Sequence, residues 1–476
     1  MTQELWSLTA REVVSRLQRS ELTPLDLLDA LEARIAVIDP AVNALPTLCF
    51  DRARDNAKAL MAKAPEERGR LFGLPLPIKD LADVAGVRTT YGSPIYKDHV
   101  PSKTAMVVET IENEGGIVFA KSATPEFGAG GNTFNEVFGA TLNPWDLSKS
   151  CAGSSGGSAV ALATGMAWVA HGNDMGGSLR NPASFCGVVG LRPSPGRIAH
   201  DPGVLVDSLL GAEGPMARNV ADAALLLDAM AGENPYDPLS LPREPLRYLD
   251  HALAPTKPLR VAFSADLSVT PVDPEVLAIC RAAADKLAAD GVDVIEDQPD
   301  LRASHEVFQT LRAYQYAASH GHKLRDFPEL LKPEMVWNVQ KGLNLTAKEI
   351  IDAQDKRAAM IAATVSFFDR YDLLLCPATI VAPYPVEQRY VESCNGVKFE
   401  SYIDWLAIAY AVTLSTAPAL SLPCGFTQSG LPVGLQVVAR PRNEAGLLRG
   451  AAYIEAMLNV AITRPIDPRP AQVAAG

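Results

Sequence analysis

Short apolar segments alternate with helix-like segments along most of the 476-residue chain, and this alternation is what most constrains its fold. Strand-like runs occur at residues 73–78, 117–120, 167–170, 259–263, 292–296, 371–376, 419–422 and 433–438. Helical periodicity occurs between them, at residues 159–166, 274–289 and 301–365. The pattern is typical of an α/β fold in which helices cover both faces of a mixed, twisted central sheet. Because such sheets need crossover connections, we predict a single domain over residues 1–476.

The first 70 residues are predicted to form an N-terminal helical segment. Thr9 and Glu12 have the spacing of a capping box. Thr23 directly precedes Pro24, as an N-cap residue precedes proline at the first helical position.

The composition argues against several classes of function. The chain has 43 Lys and Arg against 55 Asp and Glu, a net charge of −12 that disfavours nucleic acid or an anionic membrane as partner. Its seven cysteines are scattered without a C-x-x-C pair, so neither a zinc site nor a disulfide framework is indicated. The longest apolar run, residues 159–170, is shorter than the roughly 18 residues of a membrane span. We therefore expect a cytoplasmic protein with no metal site and no membrane or nucleic-acid partner.

Small residues are unusually dense between residues 150 and 200. Serines lie among pairs of glycines in two segments, Ser150–Ser158 and Gly172–Arg180. Glycine pairs let several backbone N–H groups converge on one point, where they can stabilise an anion forming on a substrate oxygen. The serines are therefore candidate nucleophiles, although a glycine-rich packing turn would have a similar composition.

Two familiar loop motifs fit these segments poorly. A phosphate-binding loop needs G-x-x-x-x-G-K-[ST], which does not occur, and Lys149 precedes the glycines instead of following them. Gly153–Gly157 matches the G-x-S-x-G of α/β-hydrolases, but that motif follows an apolar strand. Here the preceding residues, 143–149, are polar and rich in turn formers.

Lys79 follows the apolar run at residues 73–78, so its ammonium group either reaches solvent or is buried. Burial disfavours the charged form and lowers the pKa of a lysine from about 10.4 toward neutrality. A neutral amine can act as a general base toward a serine. Lys79 and the serines therefore form a candidate catalytic set.

Further segments accompany Lys79 and the two serine segments, namely Phe138–Trp145, Asn181–Pro193, Pro418–Pro423 and Gly430–Gln436. Together these segments resemble the amidase signature family, and the resemblance covers nearly the whole chain. It implies the amidase signature fold, with residues 71–200 as the catalytic core. It also implies that residues from about 240 to 410 form a variable region on the substrate side.

The family uses a Ser-Ser-Lys triad, which the resemblance carries over by position. Ser178 corresponds to the nucleophile, Ser154 to a bridging serine whose peptide bond is cis in the family, and Lys79 to the base. Backbone N–H groups of residues 175–178 are expected to form an oxyanion hole. The substrate-binding residues that the resemblance implies are Gly128, Ser154, Met175, Gly176, Gly177 and Ser178.

The sequence departs from the common family pattern at two places. Asn173-Asp174-Met175 stands where Thr-Asp-Thr is common, and Ala152 replaces the first of two glycines before the serine pair. Neither change removes a member of the triad. Asp174 and Arg180 are expected to brace the loop, and Met175 is expected to shape the acyl pocket.

Other side chains compete for a role in chemistry. His171 lies seven residues before Ser178 and is the strongest competitor of Lys79 as base, although a structural histidine at a strand end is the preferred interpretation. His320 and His322 have no third ligand nearby, so we predict no metal site. Cys186 is interpreted as a buried apolar residue and not as a nucleophile.

The resemblance implies an amidohydrolase that cleaves a carboxamide C–N bond of a small molecule through an acyl-serine intermediate. Water is the second substrate, no cofactor is expected, and a homodimer is an expectation from the family alone. Hydrolysis of aryl-acylamides, cyclic amides, hydrazides or esters remains an alternative. So does the A subunit of a tRNA-dependent amidotransferase, which works within a complex. A catalytically silent binding protein is disfavoured because all three triad residues are present.

The substrate and its pocket are not determined by the sequence. The stretch 300–410 is expected to contribute to the pocket, with Tyr314, Trp337 and Cys394 as candidates that could equally belong to the core or the surface.

Overall fold

The structure is a computed structural model that describes residues 4–460 and 464–471. Its α-helices are α1 (Ala10–Gln18), α2 (Pro24–Val42), α3 (Phe50–Met61), α4 (Met106–Asn113), α5 (Gly156–Ala163), α6 (Arg180–Cys186), α7 (Val220–Met230), α8 (Tyr248–Leu253), α9 (Pro274–Ala289), α10 (Ser304–Asp326), α11 (Pro333–Leu343), α12 (Ala347–Phe367), α13 (Ala407–Leu414) and α14 (Glu444–Leu458). Within the described ranges, no helix is both long and apolar enough to cross a bilayer.

The strands form one large sheet and three smaller ones. Their bounds are β1 (Thr47–Leu48), β2 (Pro75–Lys79), β3 (Ile117–Ser122), β4 (Phe134–Asn135), β5 (Gly139–Ala140), β6 (Val169–Asp174), β7 (Val189–Arg192), β8 (Ala212–Ala217), β9 (Arg260–Phe263), β10 (Asp293–Glu296), β11 (Leu373–Pro377), β12 (Ser393–Cys394), β13 (Val397–Lys398), β14 (Ala419–Phe426) and β15 (Pro432–Val438).

The large sheet has eight strands in the order β10-β9-β11-β15-β14-β7-β8-β6. The pairs β10/β9 and β9/β11 are parallel and the others are antiparallel, so the sheet is mixed. The strands β7, β11 and β15 are buried at every position. Because successive side chains of a strand point to opposite faces, both faces of the sheet must be covered at these strands. The predicted α/β fold with a mixed sheet is confirmed.

A three-stranded sheet, in the order β1-β3-β2, packs beside the large one through contacts between β2 and β6. β2 and β3 are parallel, with Lys79 opposite Ser122. All five residues of β2 are buried, including Lys79 at its last position. This arrangement brings the end of β2 into the interior of the protein, next to β6.

The N-terminal helices begin as predicted. Thr9 and Glu12 form a capping box at the start of α1, and Thr23 forms a second one with Asp26 at the start of α2. Pro24 occupies the first turn of α2, where its missing N–H has no cost.

Two predicted elements are displaced in the structure. The helix expected at residues 159–166 begins earlier, at Gly156, and ends at Ala163, and the strand expected at residues 167–170 is β6, at Val169–Asp174. The strands β7 and β8 and the helices α6, α7 and α13 have no counterpart in the sequence prediction. α7 and α13 are buried at every position, so they lack the one-sided apolar pattern by which a surface helix is recognised.

Leu191 tests the packing of the large sheet, since it is fully buried in β7 and pairs with Leu420 in β14. We expect Leu191→Ala to lower the free energy of unfolding by about 2–5 kcal/mol because it leaves a cavity in a packed interior. Chemical denaturation measures the loss. Leu259→Ala is the control, because Leu259 is 80% exposed, and it should cost less than about 0.5 kcal/mol. Equal losses in the two variants would contradict the described packing.

Candidate active site

The side chain of Lys79 ends among two serines and an asparagine. Its Nζ lies 2.7 Å from Ser154 Oγ, 2.9 Å from Ser155 Oγ and 2.7 Å from Asn173 Oδ1. Lys79 and Ser155 are completely buried, and Ser154 is 2% exposed. The structure therefore brings together Lys79 and Ser154, which the sequence separates by 75 positions.

The interior changes the protonation of Lys79. Burial lowers the pKa of its amine from 10.5 to about 7, although the negative charges of Glu213 and Asp174 act in the opposite direction. Near neutral pH a large share of Lys79 is therefore the neutral amine, which has a free lone pair.

The hydrogen bonds around Nζ are suited to a neutral amine. Such an amine has two N–H donors, and Asn173 Oδ1 and Ser155 Oγ can accept them. The lone pair is then left for the hydroxyl of Ser154. Ser155 Oγ in turn donates to the carbonyl oxygen of Asn173 at 3.3 Å. The network holds the amine in place and directs its lone pair toward Ser154.

His171 holds the main chain of Lys79. Its Nδ1 accepts the Lys79 backbone N–H at 3.3 Å, and its Nε2 lies 2.8 Å from Glu213 Oε2. Because Nδ1 accepts, the ring proton is on Nε2 and is donated to Glu213. Both ring nitrogens are thus engaged away from Ser178, which argues against His171 as its base.

Ser178 lies in the turn between β6 and α6 and is partly exposed. Its carbonyl oxygen accepts the N–H of Ser155 at 3.1 Å, which ties the two serine segments together. Ser154 and Ser178 line the same cavity. The peptide bond between Gly153 and Ser154 is cis, in agreement with the family pattern.

The carboxylate of Asp174 stabilises this turn. Its carboxylate accepts the N–H groups of Gly177 at 2.8 Å and Leu179 at 3.1 Å. It also forms a completely buried ion pair with Arg180, with a distance of 2.9 Å. Burial by itself would raise the pKa of Asp174, but Arg180 and these hydrogen bonds hold it well below its usual range.

Three amides of the turn are free to receive an anion. The backbone N–H groups of Met175, Gly176 and Ser178 have no acceptor in the described part of the chain, and all three residues line the cavity. The amide of Gly177 is instead engaged by Asp174, and Gly177 does not line the cavity. At its φ of +105°, a Cβ would lie 2.6 Å from the side chain of Asn181. Gly177 therefore shapes the turn, and the three unbonded amides belong to residues that line the cavity.

The cavity beside the serines has a volume of about 270 Å³. Gly128 lies in its wall, where a Cβ would come within 3.4 Å of Ser154 Oγ. Residues of α10 line it, namely Phe308, Arg312, Gln315, Tyr316 and Ser319. Tyr314, Trp337 and Cys394 do not line it.

One wall of the cavity was not predicted from the sequence. This wall is the segment between β7 and β8, which contributes His200, Asp201, Gly203, Val204, Leu205, Ser208 and Gly211. A connection rich in glycine, proline and aspartate has no periodicity, and nothing in such a pattern indicates which element it faces.

The remaining candidates are His320 and Cys186, and their surroundings indicate structural roles. His320 packs against the rings of Phe127 and Tyr316, and the described residues contain no cluster of three or more His, Cys, Asp or Glu that could hold a metal ion. Burial raises the pKa of the Cys186 thiol, so the thiolate is disfavoured.

The chain has clear relatives among known proteins. A family model described as Amidase matches residues 26–448. An acylamidase of Rhodococcus erythropolis is 34% identical over 98% of both chains. The A subunit of the glutamyl-tRNA(Gln) amidotransferase of Moorella thermoacetica is 34% identical, over 95% of this chain and 97% of that protein. The solved structure of a bacterial aryl acylamidase matches with a TM-score of 0.88 at 25% identity, covering 96% of this chain and 99% of that one.

The chain therefore belongs to the amidase family with the amidase signature. It is an enzyme that hydrolyses amide C–N bonds.

Asp174→Asn tests the brace of the serine turn. The substitution leaves Arg180 without a negative partner in the interior, so we expect the free energy of unfolding to fall by about 3–5 kcal/mol. Chemical denaturation gives this value. The control is Asp300→Asn, which breaks an ion pair with Arg302 on the surface and should cost less than about 1 kcal/mol. Equal losses of unfolding free energy in Asp174→Asn and Asp300→Asn would contradict a stabilising role of Asp174 in this turn.

Proposed function

We propose that the chain hydrolyses small carboxamides through a covalent acyl intermediate on Ser178, with Ser154 and Lys79 as its proton relay. The observation that carries this proposal is the 2.7 Å contact between the buried Lys79 Nζ and Ser154 Oγ, in a cavity that Ser178 also lines. A buried amine with a pKa near 7 can accept a proton at neutral pH.

Acylation begins when Ser178 attacks the substrate. Ser178 Oγ bonds to the carbonyl carbon and passes its proton to Ser154, which passes its own to Lys79. The carbonyl oxygen becomes an oxyanion, and the unbonded amides of Met175, Gly176 and Ser178 are available to donate to it. When the C–N bond breaks, the relay runs in reverse and the proton on Lys79 reaches the departing amine through Ser154.

Deacylation repeats the relay with water in place of Ser178. Water attacks the acyl carbon, and its proton moves through Ser154 to Lys79. The intermediate then collapses, the ester bond to Ser178 breaks, and the returning proton restores the serine hydroxyl. The products are a carboxylic acid and an amine, and the enzyme is unchanged.

The relatives support acylamides of small amines as the substrate class. The acylamidase and the aryl acylamidase both match nearly the full length of the chain, and a cavity of about 270 Å³ suits a small molecule. All seven cysteines are free thiols, which supports a cytoplasmic location.

The likeness to the A subunit of an amidotransferase favours a second candidate, the release of ammonia from an amide within a complex. Hydrolysis of simple anilides by the isolated chain would argue against it, whereas activity that requires partner proteins and tRNA would favour it.

Ser178→Ala should abolish turnover of an amide substrate while the unfolding transition stays unchanged, because only the nucleophile is lost. Mass spectrometry of the quenched wild-type reaction should show the added acyl mass on the peptide that contains Ser178. Ser366→Ala is the matched control, since Ser366 is exposed on α12, and it should retain full activity. An acyl adduct that persists in Ser178→Ala would place the nucleophile elsewhere.

The pH dependence of kcat/KM should report the protonation of Lys79. Below its pKa of about 7 the amine is an ammonium group that cannot accept a proton, so kcat/KM should fall about tenfold per pH unit. Above this pKa the curve should level off. Circular dichroism at each pH verifies that the protein stays folded, and a flat profile between pH 5 and 7 would refute Lys79 as the base.

A further inference from the structure

Arg312 combines burial with a position in the wall of the candidate active site. It lies on α10, is 5% exposed and lines the cavity together with Ser154 and Ser178. None of the other buried arginines in the described residues lines it; they are Arg180, Arg192, Arg197, Arg218 and Arg357. Arg312 is therefore the buried guanidinium that a substrate could reach.

The other buried arginines are compensated by anionic or backbone partners. Arg180 pairs with Asp174 and Arg197 with Glu444. The remaining three donate to backbone carbonyl oxygens, as Arg192 does to Asp174 and Leu210, Arg218 to Trp6 and Leu8, and Arg357 to Leu414 and Leu209. These guanidinium groups are held within the protein framework.

Like Arg192, Arg218 and Arg357, Arg312 has only neutral partners, but it is the one of these four that lines the cavity. Its Nη1 donates to Asn338 Oδ1. Its guanidinium carbon lies 4.2 Å from the ring centroid of Tyr316 and 5.5 Å from that of Tyr402. Among the described residues, no carboxylate lies within ion-pair distance of Arg312. A buried cation is stabilised by a negative partner, and a ligand in the cavity can reach Arg312 but not the other three arginines.

Glu334 and Glu126, which act electrostatically on Lys332 as Arg312 does, do not supply this partner. Glu334 is held by two hydrogen bonds from Arg389. Glu126 accepts the Lys332 backbone N–H on one oxygen and the hydroxyl of Ser93 on the other. Both carboxylates are thus engaged by other groups, and neither forms an ion pair with Arg312.

The carboxylates that line the cavity are also engaged, and all of them lie on other elements. Asp174 is bound by Arg180, and Glu213 lies within hydrogen-bond distance of His171. Asp201 accepts the backbone N–H of Met106 and is exposed. The end of the cavity formed by α10 is therefore the place where an anionic group of a substrate would be favoured.

We propose that the amide substrate carries a carboxylate away from its scissile bond, and that Arg312 binds this carboxylate. The proposal rests on the amide hydrolysis proposed above. A guanidinium group can bind a carboxylate through two parallel hydrogen bonds, which fixes the orientation of the substrate as well as its position. Arg312 is thereby a specificity-determining residue that holds the distant end of the substrate while Ser178 reacts with the amide.

The test compares p-nitroanilides that differ in one charge. Succinyl, glutaryl and adipoyl p-nitroanilides carry a terminal carboxylate on the acyl side, and butanoyl, pentanoyl and hexanoyl p-nitroanilides are their neutral counterparts. N-butanoyl-4-aminobenzoate and N-butanoylaniline form a further pair, in which the carboxylate is present or absent on the amine side of the amide. We expect at least one carboxylate substrate to exceed its neutral counterpart by tenfold or more in kcat/KM. Neutral substrates that are preferred in every pair would overturn the proposal.

Arg312→Met should lower kcat/KM for the preferred carboxylate substrate about 100-fold and change the neutral counterpart less than threefold. Arg312→Lys keeps the charge and should retain part of the preference, and it replaces the methionine variant if that one fails to fold. Arg302→Met is the control, because Arg302 pairs with Asp300 on the surface and does not line the cavity. It should leave the ratio of the two substrates unchanged.

The outcomes separate this proposal from the proposed function. Equal losses on both substrates in Arg312→Met would mean a structural role for Arg312 and would overturn the proposal while leaving amide hydrolysis intact. No hydrolysis of any anilide by the wild-type chain would overturn the proposed function, and this proposal with it.

Discussion

The burial of one amine at the end of a short strand determines what this site can do. β2 and β3 pair inside the protein, and Lys79 occupies the last position of β2, where the amine has lost its hydration. Water would keep such a group charged, and a charged amine cannot take a proton from Ser154. His171 fixes the main chain at this point, and Asn173 and Ser155 bind the amine itself. The chemistry therefore follows from packing between the two sheets.

The high density of small residues between residues 150 and 200 has a physical explanation in the same region. The turn after β6 must place three free amides and a serine beside the cavity, and Asp174 holds it through Gly177, Leu179 and Arg180. A side chain at position 177 would collide with Asn181, and one at position 128 would approach Ser154. Glycine at position 177 permits the close packing of the turn, and glycine at position 128 keeps the cavity open beside Ser154.

The parts of the fold and of the site that depend on local pattern could be predicted from the sequence. Thr9 and Thr23 cap helices, and α9 begins and ends where its periodicity predicts, because these features depend on near neighbours. The cavity wall depends on tertiary structure instead. Tyr316, four residues after Arg312 on α10, shares its helical face toward the cavity, whereas Tyr314 does not line it. Spacing in the sequence shows that residues four apart share one face of a helix. It does not show which face lies toward the site.

The most direct test of the account is a titration of Lys79 itself, by NMR of the folded enzyme labelled with ¹³C at the lysine ε-carbons. The resonance of Lys79 is assigned by its disappearance in Lys79→Arg. We expect a single titration with a midpoint near pH 7, far below that of the exposed lysines. A midpoint near 10 would show a charged amine at neutral pH and would contradict the proposed base.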